Sequence, residues 1–170
     1  VVIALDPSNI RSIHAAFDPD RAGEANILAS AKATGYRGND IGEAREWVEA
    51  RAKGLDMSLE ARMARAKAER YRTDEPVYRG VTGDFMEMRP LTWVTTNPEA
   101  ASAFGDRVIK MFVRYEREAS MADYARARRQ AASEGLEAGR PVEERAAAIL
   151  IDEGFDVIRD KNFKGAGGGV

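Results

Sequence analysis

The chain opens on five consecutive apolar residues, Val1 to Leu5, closed by Asp6-Pro7-Ser8-Asn9, and an unbroken apolar run of strand length ending in turn residues predicts a buried strand. From 15 to 39 the pattern dissolves into scattered glycine, aspartate and proline, which predicts an extended arm wrapping the surface with a short helix near Glu24 to Ala33. Asp40-Ile41-Gly42-Glu43 has the spacing of a capping box and starts a helix expected to reach Lys53, ended by Gly54. A second helix runs from Ser58 to about Tyr71. Leu59, Met63 and Ala66 share one face of it, and Glu60, Arg62, Arg65, Lys67 and Glu69 cover the others as a solvated surface.

Beyond Arg72 the periodicity changes. Residues 76–81 and 91–96 predict strands, and Asn97-Pro98-Glu99 predicts a short helix to Phe104: Asn caps, Pro fits the first turn without losing a bond, and Glu favours the positive end of the dipole. Arg107 to Tyr115 alternates Val108, Lys110, Phe112, Arg114 against Ile109, Met111, Val113, Tyr115, a long strand with at least one inward face. A charged, alanine-rich helix is expected from Met121 to Glu134, a break over Gly135 to Pro141, and a second helix from Val142 to Glu153 stopped by Gly154. Phe155 to Arg159 predicts a strand, and the glycine-rich stretch from Asp160 to Gly169 a flexible loop. Short strands separated by helices predict an α+β domain.

Composition narrows the chemistry. In 170 residues there are 26 basic and 28 acidic side chains, a net charge of −2, so no overall field draws the chain to nucleic acid or to anionic lipid. The absence of cysteine excludes disulfides, thiolate catalysis and thiolate zinc sites. The single histidine, His14, supplies neither a metal cage nor a His-based triad, so no metal is expected and His14 is assigned no role. No apolar run approaches the length of a membrane span, and VVIALDP is too short and lacks the basic flank of a signal peptide, so no membrane partner is expected. Opening on Val1 and ending on GAGGGV, the sequence reads as a piece of something larger.

Candidate chemistry lies in two neighbouring motifs. Pro76-Val77-Tyr78-Arg79-Gly80 ends a strand on aromatic-Arg-Gly, and Pro90-Leu91-Thr92-Trp93-Val94-Thr95-Thr96-Asn97-Pro98-Glu99-Ala100-Ala101-Ser102-Ala103-Phe104 follows. Together they set a guanidinium beside two hydroxyls and aromatic rings. A guanidinium is a fixed fork of donors matched to phosphate oxygens, Gly80 permits close approach to the backbone, and aromatic faces stack on planar cationic rings. That combination suits a phosphorylated, aromatic ligand.

These residues resemble an ADP-ribosyltransferase domain, closest to those in polyvalent proteins of phages and conjugative plasmids. The likeness covers about residues 55–170. LDMSLEARMARAKAERYRTDEPVYRG is similar to the helix and first core strand of that family, TWVTTNPEAASAFG to its second motif, and EGFDVIRD with the following glycines to its penultimate strand. The resemblance implies a split pair of small antiparallel sheets preceded by helices, enclosing a cleft for NAD as substrate. Residues 1–39 would be a strand plus arm, the last strand of this or of a preceding copy of the domain, and 40–170 the transferase-like domain. Arg79 and Thr95 would be catalytic. Tyr78, Arg79, Gly80, Trp93, Thr95, Thr96 and Phe104 would bind NAD, with Trp93 and Phe104 flanking nicotinamide.

What the resemblance implies for function is a mono-ADP-ribosyltransferase of toxin or effector type. It would act on a host protein or another macromolecular acceptor in the cytoplasm of a bacterial host, delivered with phage or plasmid DNA. The alternative is a catalytically degenerate NAD-binding or interaction module. The family's last strand, which begins with its catalytic glutamate, resembles VVIALDPSNIRS, yet this stands at residues 1–12, ahead of the other motifs. Aligning Asp6 with the family aspartate puts Val1 where the glutamate belongs. If the order is circularly rearranged, the first and last strands should meet in one sheet. Glu87, Glu143, Glu144, Glu153 and Asp156 are the other carboxylates near the motifs, and they read as helix-surface or turn charges.

Overall fold

The computed structural model describes residues 1–23, 27–29, 41–82 and 85–161, with backbone alone at 27–29, 41–45 and 85–87. In chain order the elements are β1 (Val2–Ala4), β2 (Ile10–Ser12), β3 (Ile27–Ala29), α1 (Ile41–Ala52), α2 (Leu59–Ala68), β4 (Val77–Val81), β5 (Phe85–Glu87), β6 (Thr92–Val94), α3 (Pro98–Ser102), β7 (Arg107–Val113), β8 (Glu118–Ser120), α4 (Met121–Ser133), α5 (Arg140–Asp152) and β9 (Val157–Arg159). Single 3-10 turns stand at Pro7–Asn9 and Pro19–Arg21. The chain is α+β, built on a four-stranded sheet in the order β6-β1-β9-β8 and a three-stranded sheet in the order β2-β7-β4, with a two-stranded pair β3-β5.

Strand β1 explains the unbroken apolar run at the start of the chain. It is an interior strand, antiparallel to β6 through Val2↔Val94, Ile3↔Trp93 and Ala4↔Thr92, and antiparallel to β9 on its other edge. Successive side chains point to opposite faces. Val2 and Ala4 enter the core between the two larger sheets, with Ile10, Val77, Met111, Val113 and Val157. Ile3 and Leu5 enter a second core, against Ala127, Ala131, Ala146 and Leu150 of the α4–α5 hairpin. Residues 1–12 thus supply strands to both large sheets, and the first strand does meet the last one described.

Strand β7 ends at Val113, two residues short of the expected Tyr115, but its alternation holds: Ile109, Met111 and Val113 face the inter-sheet core, joined by Tyr115 just beyond its end. Its other face contributes Phe112 to a third cluster with Phe17, Tyr71 and Ala66. Phe17 stacks edge-on to Tyr71 at 5.2 Å between ring centroids.

Several expectations are corrected. The sheets are not purely antiparallel: β8 runs parallel to β9, which the intervening α4–α5 hairpin makes possible by returning the chain to the same end. The expected helix near Glu24 to Ala33 is replaced over Ile27–Ala29 by β3, which pairs with β5; the remainder of that stretch lies outside the described residues, as do the Asp40 cap and the loop beyond Lys161. Helix α5 begins at Arg140, because Pro141 fits a first turn whose N–H groups need no partner.

The charged face of α2 is a solvated surface only in part: Glu60 and Lys67 are exposed, whereas Arg62 and Arg65 are not. Arg62 is buried and donates to the carbonyls of Met57, Ile13 and Ala15, while Arg65 donates to those of Asp56, Ala16 and Phe17. An arm without a sheet partner leaves its carbonyls unpaired, and these two guanidinium groups satisfy them. Leu59, expected inside, is exposed.

A buried charge network lies beneath the arm. Arg11 and Glu46, 3% and 2% exposed, pair at 3.3 Å, and Lys53 holds the buried carboxylate of Asp18 at 2.9 Å. Burial pushes the Glu46 carboxyl upward in spite of Arg11. Glu69 is the outlier, because both of its carboxylate oxygens are buried and, among the described residues, neither accepts a hydrogen bond. Burial pushes its pKa up, opposed by Arg11 and Arg114 and assisted by Glu46 and Asp18. A carboxyl whose folded pKa lies above its unfolded value costs stability once ionised, and that cost vanishes as pH falls through the folded pKa. Glu69→Gln is therefore expected to stabilise the fold by about 1 kcal/mol at neutral pH. In urea unfolding followed by circular dichroism, the gain should shrink as the pH is lowered.

Candidate functional site

Strand β4 carries Tyr78 and Arg79 to the place where the two large sheets approach each other. Tyr78 and Thr95 exchange backbone hydrogen bonds of 2.7 and 2.9 Å, a single bridge that ties β4 to the end of β6. The Arg79 guanidinium donates through Nη1 to the Trp93 carbonyl at 2.8 Å. Burial holds its pKa below the ordinary arginine value, yet it remains charged at neutral pH. A cation partly withdrawn from water and fixed to a neighbouring strand costs little to reorganise when an anion arrives.

The β6–α3 corner is shaped by local bonds. Thr95 Oγ1 accepts from the Asn97 N–H at 3.1 Å, which leaves the Thr95 hydroxyl proton available to a ligand. Asn97 Oδ1 then caps α3 by accepting from the N–H groups of Glu99 and Ala100. On the other side of β6, Thr92 Oγ1 donates to the Arg89 carbonyl at 2.6 Å and closes a turn in which Leu91 adopts φ 62°. A leucine in the left-handed region is unusual and is held there by its surroundings.

These elements enclose a cleft of about 550 Å³ lined by Val1, Tyr78, Arg79, Gly80, the 89–95 segment, Ala101 and Phe104. Its size falls within the range of small-molecule sites. Six of the residues singled out in the sequence, Tyr78, Arg79, Gly80, Trp93, Thr95 and Phe104, meet around it. Thr96 does not line it and is exposed. Trp93 and Phe104 are 43% and 57% exposed, an unusual condition for large aromatics.

The place a Cβ would occupy on Gly80 is filled by the Ala101 carbonyl, so the backbone approach that Gly80 permits is that of α3. Val1 lines the cleft from β1. Extending the β1–β6 register by one residue sets Val1 opposite Thr95, and Val1 also pairs with Asp160, its carbonyl accepting from the Asp160 N–H at 3.0 Å.

The other carboxylates stand elsewhere. Asp156 accepts from the N–H groups of Glu116 and Arg117, Glu153 pairs with Arg126, and Glu144 pairs with Arg140 at 2.7 Å. Glu143 borders a neighbouring cleft, and the Glu87 side chain lies outside the described residues. Of these, Asp156, Glu153, Glu143 and Glu144 do not line the first cleft. His14 is half-buried and lends its carbonyl to Trp47 Nε1 at 2.6 Å, a packing role. Arg89 also lines the cleft, and its only mark in the sequence is the Arg-Pro-Leu-Thr turn leading into β6.

No family model, no curated protein and no solved structure matches the chain. No group of acidic and histidine side chains suited to a metal ion occurs among the described residues, and no helix of those residues is long and apolar enough to cross a membrane.

Proposed function

We propose that the chain binds NAD in the cleft around Arg79, as a domain of the ADP-ribosyltransferase kind, and that it transfers ADP-ribose to a macromolecular acceptor. The observation that carries this reading is the convergence of Arg79, Trp93, Thr95 and Phe104, from two strands and a helix end, on one cleft of suitable size. In it the Arg79 guanidinium binds the diphosphate, and Tyr78 and Gly80 bound the neighbouring ribose. The exposed rings of Trp93 and Phe104 flank nicotinamide, and the Thr95 hydroxyl donates to the ribose. The matching fold would be the split-sheet arrangement of that family, in a protein working in the cytoplasm of a bacterial host and delivered with phage or plasmid DNA.

In transfer, the bond between the ribose carbon and the nicotinamide nitrogen breaks and its electrons leave with neutral nicotinamide. The acceptor nucleophile bonds to that carbon and loses its proton. Positive charge builds on the ribose as the bond breaks, so a fixed anion beside it would lower the barrier by several kcal/mol. Val1 occupies the position where the resemblance puts that anion. This favours a second reading, in which the domain binds NAD without turning it over and serves as an interaction module.

Calorimetry with NAD at millimolar concentration tests the shared part of both readings. Arg79→Ala should weaken NAD binding about tenfold or more, the effect of losing one charge-assisted contact, while leaving the unfolding midpoint within about 1 kcal/mol of the parent. Absence of NAD binding, or binding indifferent to Arg79, overturns the proposal. Release of nicotinamide in the presence of cell lysate separates the transferase from the silent module.

A further inference from the structure

Glu69 closes α2 as its C-terminal cap residue, and both of its carboxylate oxygens are buried with no hydrogen-bond donor among the described residues. The two cations whose charge it feels are Arg11 of β2 and Arg114, just past the end of β7, and neither donates to it. Arg114 is fixed nearby. Its backbone bridges that of Tyr71, the second residue after Glu69, and its guanidinium lies over the Tyr71 ring at 5.3 Å.

Both cations are engaged instead on consecutive carbonyls of the arm. Arg11 donates through Nη2 to the Arg21 carbonyl at 2.6 Å, and Arg114 through Nη2 to the Ala22 carbonyl at 2.7 Å. Arg11 also pairs with Glu46, and Arg114 gives its Nε to Asn9 Oδ1 at 2.9 Å. The earlier part of the arm has other anchors: Arg62 and Arg65 hold the carbonyls of Ile13 and Ala15 to Phe17, and Lys53 holds Asp18. The Arg21 side chain adds a pair with Glu49 that water weakens. By its carbonyls, the end of the arm hangs from the two arginines that Glu69 faces.

An ionised carboxylate sealed from water without a donor is costly, and a charge-assisted bond to a guanidinium is the strongest relief within its reach. A neutral carboxyl makes no such demand. We propose that Glu69 is a proton-operated clasp on the arm: neutral, it leaves Arg11 and Arg114 on the carbonyls of Arg21 and Ala22; ionised, it draws a guanidinium to itself and frees the end of the arm. Glu46 and Asp18 are the like charges that face it, and the Tyr71 hydroxyl is its other titratable neighbour. On its outer side Glu69 borders a cleft of about 410 Å³, a route for protons. The other charges of that cleft are occupied: Arg70 pairs with Glu116, Asp156 accepts from two backbone N–H groups, and Arg117 donates to the Glu153 carbonyl. Burial raises the Glu69 carboxyl, so the closed clasp belongs to pH below its folded pKa and the open one appears as pH rises through it. Neither Glu69 nor the two arginines line the cleft around Arg79, so the clasp stands apart from the NAD reading.

The test is amide hydrogen exchange, corrected for intrinsic rates, between about pH 4 and 9 on the parent chain and on Glu69→Gln. The reporter is the Arg21 N–H, which donates to the Asp18 carbonyl at the end of the arm, and the reference is the Ala15 N–H, which donates to the Ser12 carbonyl where Arg62 holds the chain. In the parent, protection at Arg21 is expected to fall about tenfold as pH rises, the effect of losing one charge-assisted bond, while Ala15 keeps its protection. Carbon-13 NMR of the Glu69 carboxyl should place its titration at the same pH, a comparison that needs the parent alone. Glu69→Gln should hold the Arg21 protection high and flat across the range, and Arg114→Met should lower it at every pH. Protection independent of pH in the parent, the same step in Glu69→Gln, a step away from the Glu69 titration, or an equal loss at Ala15 would each overturn the clasp.

Discussion

Gly80→Ala is expected to disrupt the fold around the cleft. The added Cβ would lie 2.0 Å from the Ala101 carbonyl oxygen and 3.0 Å from the Gly105 nitrogen. Both obstacles are backbone, so no side-chain rotation relieves the clash, and α3 must move off β4. Overpacking of this kind costs about 3 kcal/mol at the upper end of its usual range, a large share of a small domain's stability. Gly105→Ala repeats the clash from the opposite side, 2.3 Å from the Val81 carbonyl. Because α3, capped by Asn97, leads directly into Phe104, either variant should also lose ligand binding. Gly23→Ala is the control, since among the described residues nothing lies within 4 Å of its new methyl, and it should shift stability by no more than about 0.5 kcal/mol. Denaturant unfolding of the three variants checks the result, and an unchanged midpoint for Gly80→Ala would remove the argument that α3 is locked to β4.

That contact also marks where the sequence was legible and where it was not. The run VVIAL announced a buried strand because both faces of β1 meet apolar layers, and the alternation of β7 announced its inward face. The Asn97 cap and the Pro98 start of α3 were equally plain, since capping is local chemistry. Strand β8 escaped notice because Glu118-Ala119-Ser120 has a single buried side chain, too little for any period to show. Arg62 and Arg65 looked like surface charge because most of their partners are backbone carbonyls of the arm, far away in the chain and invisible to any pattern within the helix. The site follows the same rule. Tyr78, Arg79, Trp93 and Thr95 sit within one short stretch running from β4 to the end of β6, so their spacing was informative. Glu143 reaches the neighbouring cleft beside Trp93 only because the α4–α5 hairpin folds back over β1, a tertiary event with no local signature.

Val1→Glu is expected to raise nicotinamide release from NAD by about a hundredfold or more over the parent chain. Val1 borders the cleft that Arg79, Thr95 and Trp93 also line, and its strand is clamped between β6 and β9, so a carboxylate placed there starts from a fixed backbone. Preorganised countercharge is the form of catalysis that gains most from such fixity, because the protein need not reorient as charge appears on the ribose; single groups of this kind are commonly worth 10²–10³ in rate, on the order of 3–4 kcal/mol. Val1→Gln has the same length and no charge, and should stay near the parent rate. An increase in Val1→Glu alone would identify the missing anion as the reason for a slow parent. Equal rates in both variants, with NAD still bound, would mean that the ribose carbon does not lie beside β1, and the assignment of Val1 to the acid position would fall with it.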